Sequence, residues 1–389
     1  MNGLVHLEDG AAATPAASPV VPHRGARRVS SRVAWHVTWH VTWHGVRTVA
    51  RLELRQRVRS TRWIVALVVW FVVVGAITVL TTGALGTLTG GGPTNGRGPI
   101  LFAVVSFLVL GLGLLVTPTL TSTTVNGDRN AGTLATLQVT LLSPAEIVLG
   151  KVLAAWVAAL AFLVASLPFF VLALALGGTP VRSSIAVLVL IAVLLAALCG
   201  IGIGFSALTA RTAGSTVLTF AAVTALAVFT PILFGVTYPS IQGEQQVQVF
   251  DSSSAIRPTT AADCDWSTQV QSVAHTERTW WLLAVNPFVV VADGSTVPAS
   301  TSASQTSSPF DVLREAVREA RWGADRTFNQ CWGPSGLIDP PGGTSSPSSA
   351  PIWPWGLAFN VLLGAAGVVT AVRRLSIPQR TLPRGTRVA

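Results

Sequence analysis

Long apolar runs separated by polar segments dominate this chain. Six runs of 20 or more residues contain no Asp, Glu, Lys, Arg or His. As helices rising 1.5 Å per residue, they are long enough to cross about 30 Å of hydrocarbon while satisfying their own backbone polar groups. The pattern therefore predicts an all-α membrane protein whose six transmembrane helices lie at Trp63–Thr82, Ile100–Leu120, Val152–Leu176, Ser184–Leu208, Gly214–Tyr238 and Trp353–Val372.

The segments between these runs differ in composition and divide the chain into regions. Residues 1–32 are rich in Ala, Pro and Ser, which predicts a disordered cytoplasmic tail. The other predicted regions are an interfacial amphipathic helix at 33–62, the first five spans at 63–238, a long extracytoplasmic loop at 239–352, the sixth span at 353–372 and a cytoplasmic tail at 373–389.

A tetrapeptide repeat, WHVTWHVTWH, opens the predicted interfacial helix. It places three Trp and three His one helical turn apart, in two adjacent stripes. Two such imidazoles could share a metal ion, but no carboxylate lies nearby to orient the rings, so we predict no metal site. Indole rings suit the headgroup region, and a stripe of Arg suits anionic lipid. The predicted membrane-anchoring residues are Trp35, Trp39, Trp43, Arg47, Arg51, Arg55 and Arg59.

Charge is scarce and unevenly placed. Only 11% of the residues are charged, which is too few for the surface of a soluble domain of 389 residues. Six arginines lie in the twenty residues before the first span and two directly follow the last, so the positive-inside rule places both termini in the cytoplasm, as an even number of spans requires. Arginine outnumbers lysine 25 to 1, which is typical of a GC-rich bacterial genome and favours a bacterial plasma membrane.

The loop before the last span has two features of its own. Cys264 and Cys331 both lie in it, on the oxidising side of the membrane, and are candidates for a disulfide. The apolar segment 279–293 is too short to cross and is broken at Asn286-Pro287. We predict a re-entrant or interfacial segment there, because a seventh span would move Arg373 and Arg374 outside.

The second loop, residues 121–151, has helix-like apolar spacing on the cytoplasmic side. Ser143, Pro144 and Glu146 have the order of an N-cap, a first-turn proline and the acid of a capping box. Asp128 lies just ahead of the leucine-rich stretch, where a carboxylate suits a helix N-terminus. The sequence therefore predicts two short amphipathic helices that meet at a sharp corner under the membrane.

This loop resembles the signature of permease subunits of type 2 ATP-binding-cassette exporters. Residues that match it are Asp128-Arg129, Gly132-Thr133-Leu134, Leu142-Ser143-Pro144, Glu146 and Gly150-Lys151. The resemblance implies that the loop docks into a groove of a separate ATPase subunit, which fits an amphipathic helix. The residues it implies for coupling are Asp128, Arg129, Gly132, Thr133, Leu134, Leu137, Ser143, Pro144, Glu146 and Lys151.

Partners follow from the same resemblance and from what the chain lacks. A phosphate-binding loop needs Gly-Lys-Ser/Thr, whereas the single lysine, Lys151, is followed by Val152. We therefore expect ATP and Mg on the partner ATPase, with no cofactor, metal or catalytic residue on this chain. The other expected partners are a second permease subunit, in a homodimer or heterodimer, and membrane lipids; nucleic acid is not expected.

Two alternative functions stay open from the sequence. A secondary transporter would use the prolines within the spans as helix breaks, although such transporters usually carry a titratable group at membrane depth. A membrane scaffold with no transport activity is the other. For an exporter, the uncharged spans favour a lipid-like, drug-like or other amphiphilic cargo.

Overall fold

The computed structural model of the chain describes residues 41–88, 97–132, 142–252, 258–295, 308–323, 327–334, 336–340 and 350–376. The predicted tail at 1–32, Trp35 and Trp39, and residues 377–389 of the second predicted tail lie outside these ranges. In the described part, helices dominate, and a small β-sheet lies between the fifth and sixth spans.

Among the described residues, six helices are long and apolar enough to cross a membrane, which confirms the predicted number of spans and makes the chain a multi-pass membrane protein. The first five helices of the chain are α1 (Trp43–Val58), α2 (Thr61–Leu88), α3 (Arg97–Thr121), α4 (Thr124–Asn130) and α5 (Pro144–Ala175). The sixth is α6 (Val181–Leu208), and α2, α3, α5 and α6 are the first four spans.

The fifth span is irregular. It consists of α7 (Thr212–Thr224), a π-helical turn (Ala225–Phe229) and α8 (Thr230–Thr237), and it ends in a 3-10 turn at Tyr238–Ile241. Pro231 lies in the first turn of α8 and has no N–H to donate, so the regular hydrogen-bond ladder is interrupted there. The π turn leaves a carbonyl free to accept a bond from outside the span.

The bundle core lies around α6, which packs against α3, α5 and the last helix, α12 (Trp353–Ser376). In its most apolar window 61% of the residues are buried, against 17% for α2 at the edge. Small residues let α6 and α12 touch at backbone distance: a Cβ added to Gly200 would lie 2.5 Å from the carbonyl oxygen of Gly364.

The loop between the fifth and sixth spans is not purely helical, so the all-α expectation was incomplete. Strand β1 (Gln242–Asp251) pairs antiparallel with β2 (Asp265–Ala274) and parallel with β3 (Thr327–Asn329). A short hairpin of β4 (Trp332–Gly333) and β5 (Gly336–Leu337) follows. A disulfide joins Cys264 to Cys331, with Cα atoms 6.2 Å apart, and so ties the start of β2 to the segment after β3.

Short helices complete this loop: α9 (Trp280–Ala284), α10 (Pro287–Gly294) and α11 (Pro309–Trp322). Asn286 separates α9 from α10 and donates to the Ala227 carbonyl oxygen in the π turn and to Thr230 Oγ1, each at 3.0 Å. Asp293, at the end of α10, accepts from Arg318 Nε at 2.7 Å and from Ile352 N at 2.6 Å. The broken segment is therefore packed against protein on both sides.

The structure describes residues 41–62 of the helix predicted at 33–62. Helix α1 begins at Trp43, because Thr42 is extended and caps it by accepting from Gly45 N, and residues 33–40 lie outside the described ranges. It ends at Val58, and Ser60 separates it from α2, so the predicted helix at 33–62 is not one continuous element. Trp43, Arg47, Arg51, Arg55 and Arg59 are all exposed.

Candidate coupling site at the corner of α1, α4 and α5

Helix α1, helix α4 and the N-terminus of α5 meet at one end of the bundle and form a corner. Helix α4 follows α3 after only two residues and turns back against the end of α6. Ser206 Oγ accepts from Val125 N at 3.1 Å and from Asn126 N at 3.3 Å, which satisfies first-turn donors of α4. Asn126 also donates to Thr209 Oγ1 at 3.1 Å. Helix α4 is therefore fixed to the transmembrane core.

The start of α5 has the capping box that the sequence predicts. Ser143 Oγ accepts from Glu146 N at 3.2 Å, while Glu146 Oε2 accepts from Ser143 N at 2.8 Å. Pro144 occupies the first turn, where its missing N–H costs nothing. These bonds set the angle at which the chain enters the bundle from residues 133–141, which lie outside the described structure.

Glu146 has a second role that the sequence did not reveal. Its Oε1 accepts from Thr42 N at 2.8 Å and from Thr42 Oγ1 at 2.5 Å, so one carboxylate caps both α5 and the start of α1. The residue is only 3% exposed. Because Thr42 is 104 positions away, local spacing carries no sign of the contact.

The α1–α5 contact is close because both helices present glycine. A Cβ added to Gly150 would lie 2.6 Å from Val49 Cβ, and one added to Gly45 would lie 2.7 Å from Glu146 Cδ. Val46 and Val49 are buried against α5, whereas Arg47 and Arg51 face outward. The apolar stripe of α1 therefore packs on protein as well as lying at the edge of the bundle.

A buried ion cluster lies one turn further along α5. Lys151 Nζ lies 2.6 Å from Asp128 Oδ2 on α4 and 3.3 Å from Glu53 Oε2 on α1. Glu53 also pairs with Arg57 at 3.3 Å, and Arg57 Nη2 donates to the Leu120 carbonyl oxygen at 3.0 Å. Lys151 is 2% exposed, and these two carboxylates pair with its buried ammonium group. The single lysine of the chain thus joins α1, α4 and α5.

The predicted coupling residues fall into three groups. Ser143, Glu146 and Lys151 are buried within the chain, Asp128 pairs with Lys151, and Pro144 is half-buried. Arg129 is half-buried beside the exposed Asn130 and Ala131. Gly132, after the end of α4, has a φ of 73°, the left-handed region that favours glycine. Thr133, Leu134 and Leu137 lie outside the described residues.

Sequence reasoning missed Thr42, Gly45 and Glu53, which complete the corner from α1. The tetrapeptide repeat that surrounds Thr42 drew attention to its Trp and His residues instead. Glu53 is the one acid among the arginines of α1, a local signal that it has a cationic partner. Within the described residues, no group of three or more His, Cys, Asp or Glu could hold a metal ion, at this corner or elsewhere.

The contacts of this corner join separate elements. Its carboxylates are paired with Lys151, with Arg57 or with backbone N–H groups, and these contacts join an outer helix, a short reversed helix and the foot of a span. A displacement of α4 or of the N-terminus of α5 would therefore be transmitted to α1 and to the bundle. Asn130 and Ala131 form the exposed tip of this unit.

Comparison with known proteins gives a family for this chain. No curated protein matches it. A family model described as ABC-2 family transporter protein matches residues 47–313, more than half of the chain and a range that includes most of α1, all of α4 and the start of α5. The chain belongs to the ABC-2 family of transporter proteins.

Proposed function

We propose that this chain is the membrane-spanning subunit of an exporter whose energy comes from ATP hydrolysis on a separate ATPase subunit. The observation that carries the proposal is the corner itself. Its tip is exposed while its base is fixed to α1, α5 and α6 by capping bonds and ion pairs. Because the tip is fixed to three helices, movement of a partner docked on the tip would be passed on to the transmembrane bundle.

The docking surface would consist of the tip of α4 and the segment that follows it. Arg129 and Asn130 are its described members, and Thr133, Leu134 and Leu137 extend it by family resemblance. An amphipathic segment placed in a groove of the partner is a common mode of peptide recognition. ATP and Mg would be held by that partner, since this sequence has no phosphate-binding loop.

The proposal includes an orientation and a second membrane subunit. Both termini and the corner would face the cytoplasm of a bacterial cell, in agreement with the arginines around α1 and after α12. One six-span chain provides half of a transport pathway, so a homodimer or a heterodimer with a related permease is proposed. The cargo would be lipid-like, drug-like or otherwise amphiphilic.

Co-purification with the ATPase encoded beside this gene tests the proposal. Tagged full-length protein is isolated in mild detergent as wild type, Arg129→Glu or Leu137→Asp. The matched control is Arg55→Glu, which reverses an exposed charge on α1 at a distance from the tip. Glu146 and Lys151 are unsuitable as primary variants, because they are buried and their loss would perturb the fold.

We expect the wild type and Arg55→Glu to retain the ATPase. Arg129→Glu and Leu137→Asp should retain at least tenfold less ATPase, with unchanged elution of the membrane protein on size exclusion. If the ATPase is absent from every preparation, or is retained equally by all four, the coupling proposal is wrong. A secondary transporter or a scaffold would then fit the chain better.

A further inference from the structure

A groove of about 660 Å³ runs between α2 and α3 from the corner into the bundle. Its lower end is polar, with Glu53, Arg57, Arg62 and Asp128 around the mouth. Its upper part is apolar, and Phe162 of α5 forms the floor. The volume lies within the range of about 300–1,000 Å³ typical of small-molecule sites.

The dimensions of the groove match one leaflet of a bilayer. Along α2 its apolar lining extends from Trp63 to Val73. Ten residues of helix rise about 15 Å, half of the roughly 30 Å hydrocarbon thickness. Ala66 and Val69 line it and are exposed, so the groove opens sideways between the spans as well as at the corner. An occupant could therefore enter laterally from the membrane.

Charge at the mouth selects the head group of the occupant. The carboxylates of Asp128 and Glu53 are both paired with Lys151, at 2.6 and 3.3 Å. Arg57 is held across the mouth by Glu53 and by the Leu120 carbonyl oxygen. Arg62 is exposed, and none of the described side chains bonds to it. With Lys151 behind the lining, two acids face three cations, which leaves one excess positive charge at this end of the groove.

We propose that this groove binds an anionic phospholipid of the cytoplasmic leaflet. Its head group would lie against Arg62 and Arg57, and one acyl chain would lie along Ala66 and Val69 toward Phe162. Trp63 lies at the boundary between the polar and the apolar lining. An indole ring prefers this depth in a membrane, between the head groups and the acyl chains. The binding itself does not depend on an ATPase; only the choice of leaflet rests on the proposed function.

Native mass spectrometry of the delipidated full-length protein tests this, with phosphatidylglycerol or phosphatidylcholine added in equal amounts. Arg62→Glu reverses the charge at the mouth, and its control is Arg47→Glu, an exposed arginine on α1 outside the groove. Ala66→Trp fills the groove, and its control is Val65→Trp, an exposed neighbour on α2 that does not line it.

We expect the wild type and both controls to retain one phosphatidylglycerol in preference to phosphatidylcholine. Arg62→Glu should weaken that retention about tenfold, because each arginine near an anionic surface contributes roughly a fivefold factor and reversal adds repulsion. Ala66→Trp should abolish it. Equal retention of the two lipids by the wild type, or no change in either variant, would overturn the proposal. Because no ATPase is present, failure here is distinct from failure of coupling.

Discussion

Glu146 is a residue on which two helices depend. It accepts from Ser143 N, Thr42 N and Thr42 Oγ1, and it is almost fully buried. Removal of a buried acceptor leaves its donors unsatisfied, and a lost cap has its own cost. The stability of the corner therefore rests more on this carboxylate than on any exposed charge of α1.

We predict that Glu146→Ala lowers the free energy of unfolding by about 2–4 kcal/mol, because three donors lose their acceptor. Thermal unfolding in detergent should show a lower midpoint. Glu315→Ala, at an exposed position on α11, is the control and should stay within about 0.5 kcal/mol of wild type. A Glu146→Ala midpoint equal to that of the control would contradict the dual-cap account.

A double-mutant cycle measures the coupling between Lys151 and Asp128 in the buried ion cluster. Lys151→Gln should cost about 2–3 kcal/mol, since two carboxylates lose their common cation, although Asp128 retains some solvent. Combining it with Asp128→Asn should recover part of that loss, because one unpaired acid is removed. Additive effects of the two substitutions on the unfolding midpoint would mean that the pair is not coupled.

At the scale of elements, contact between α6 and α12 rests on glycine. The Gly200 and Gly364 backbones touch, so any side chain there must separate two helices at the centre of the bundle. Helix α8 gives a comparison, because a Cβ at Gly235 would meet no atom within 4 Å. The same substitution at the two positions therefore distinguishes packing from helix propensity.

Gly200→Ala is expected to destabilise the protein by about 1–3 kcal/mol through overpacking. Gly235→Ala should be neutral or slightly stabilising, since alanine is the better helix former. Detergent unfolding curves of both variants measure the difference. Equal midpoints would show that the α6–α12 interface adjusts without strain.

Elements were predictable from sequence to different degrees. The spans were found because charge-free runs of that length are rare outside membrane helices, and the α5 cap because its three residues lie close together in sequence. The β1–β2 pair was missed, although Val247 and Val249 alternate with polar residues at the period of a strand. The break before α1 was not predicted, because the tetrapeptide repeat continues a helical period through the extended Thr42.

Contacts between distant parts of the chain could not be predicted from the sequence. That Lys151 would join Asp128 and Glu53, or that Glu146 would cap α1, depends on which helices become neighbours in the folded bundle. Asp128, Glu146 and Lys151 were predicted to couple to an ATPase, and in the structure Glu146 and Lys151 are buried within this chain. A charged residue near a family motif therefore indicates importance without indicating which surface it serves.

For the whole molecule, the orientation predicted from the arginines can be measured. In a Cys199→Ser background, Glu315→Cys on α11 should react with a membrane-impermeant maleimide on intact cells, because the arginine distribution predicts that its loop lies outside. Cys264 and Cys331 are joined in a disulfide and add no background labelling. Asn130→Cys, at the tip of the corner, should react only after permeabilisation. The reverse labelling pattern would invert the topology and place the corner outside.

The central claim is that the corner formed by α1, α4 and α5 receives the ATPase. Hydrogen exchange of the full-length protein with and without the ATPase measures this directly. We predict slower exchange over residues 124–147 in the complex and no change in β1 and β2, which serve as the internal control. If a bound ATPase leaves 124–147 unprotected and protects another surface instead, the corner is not the coupling site.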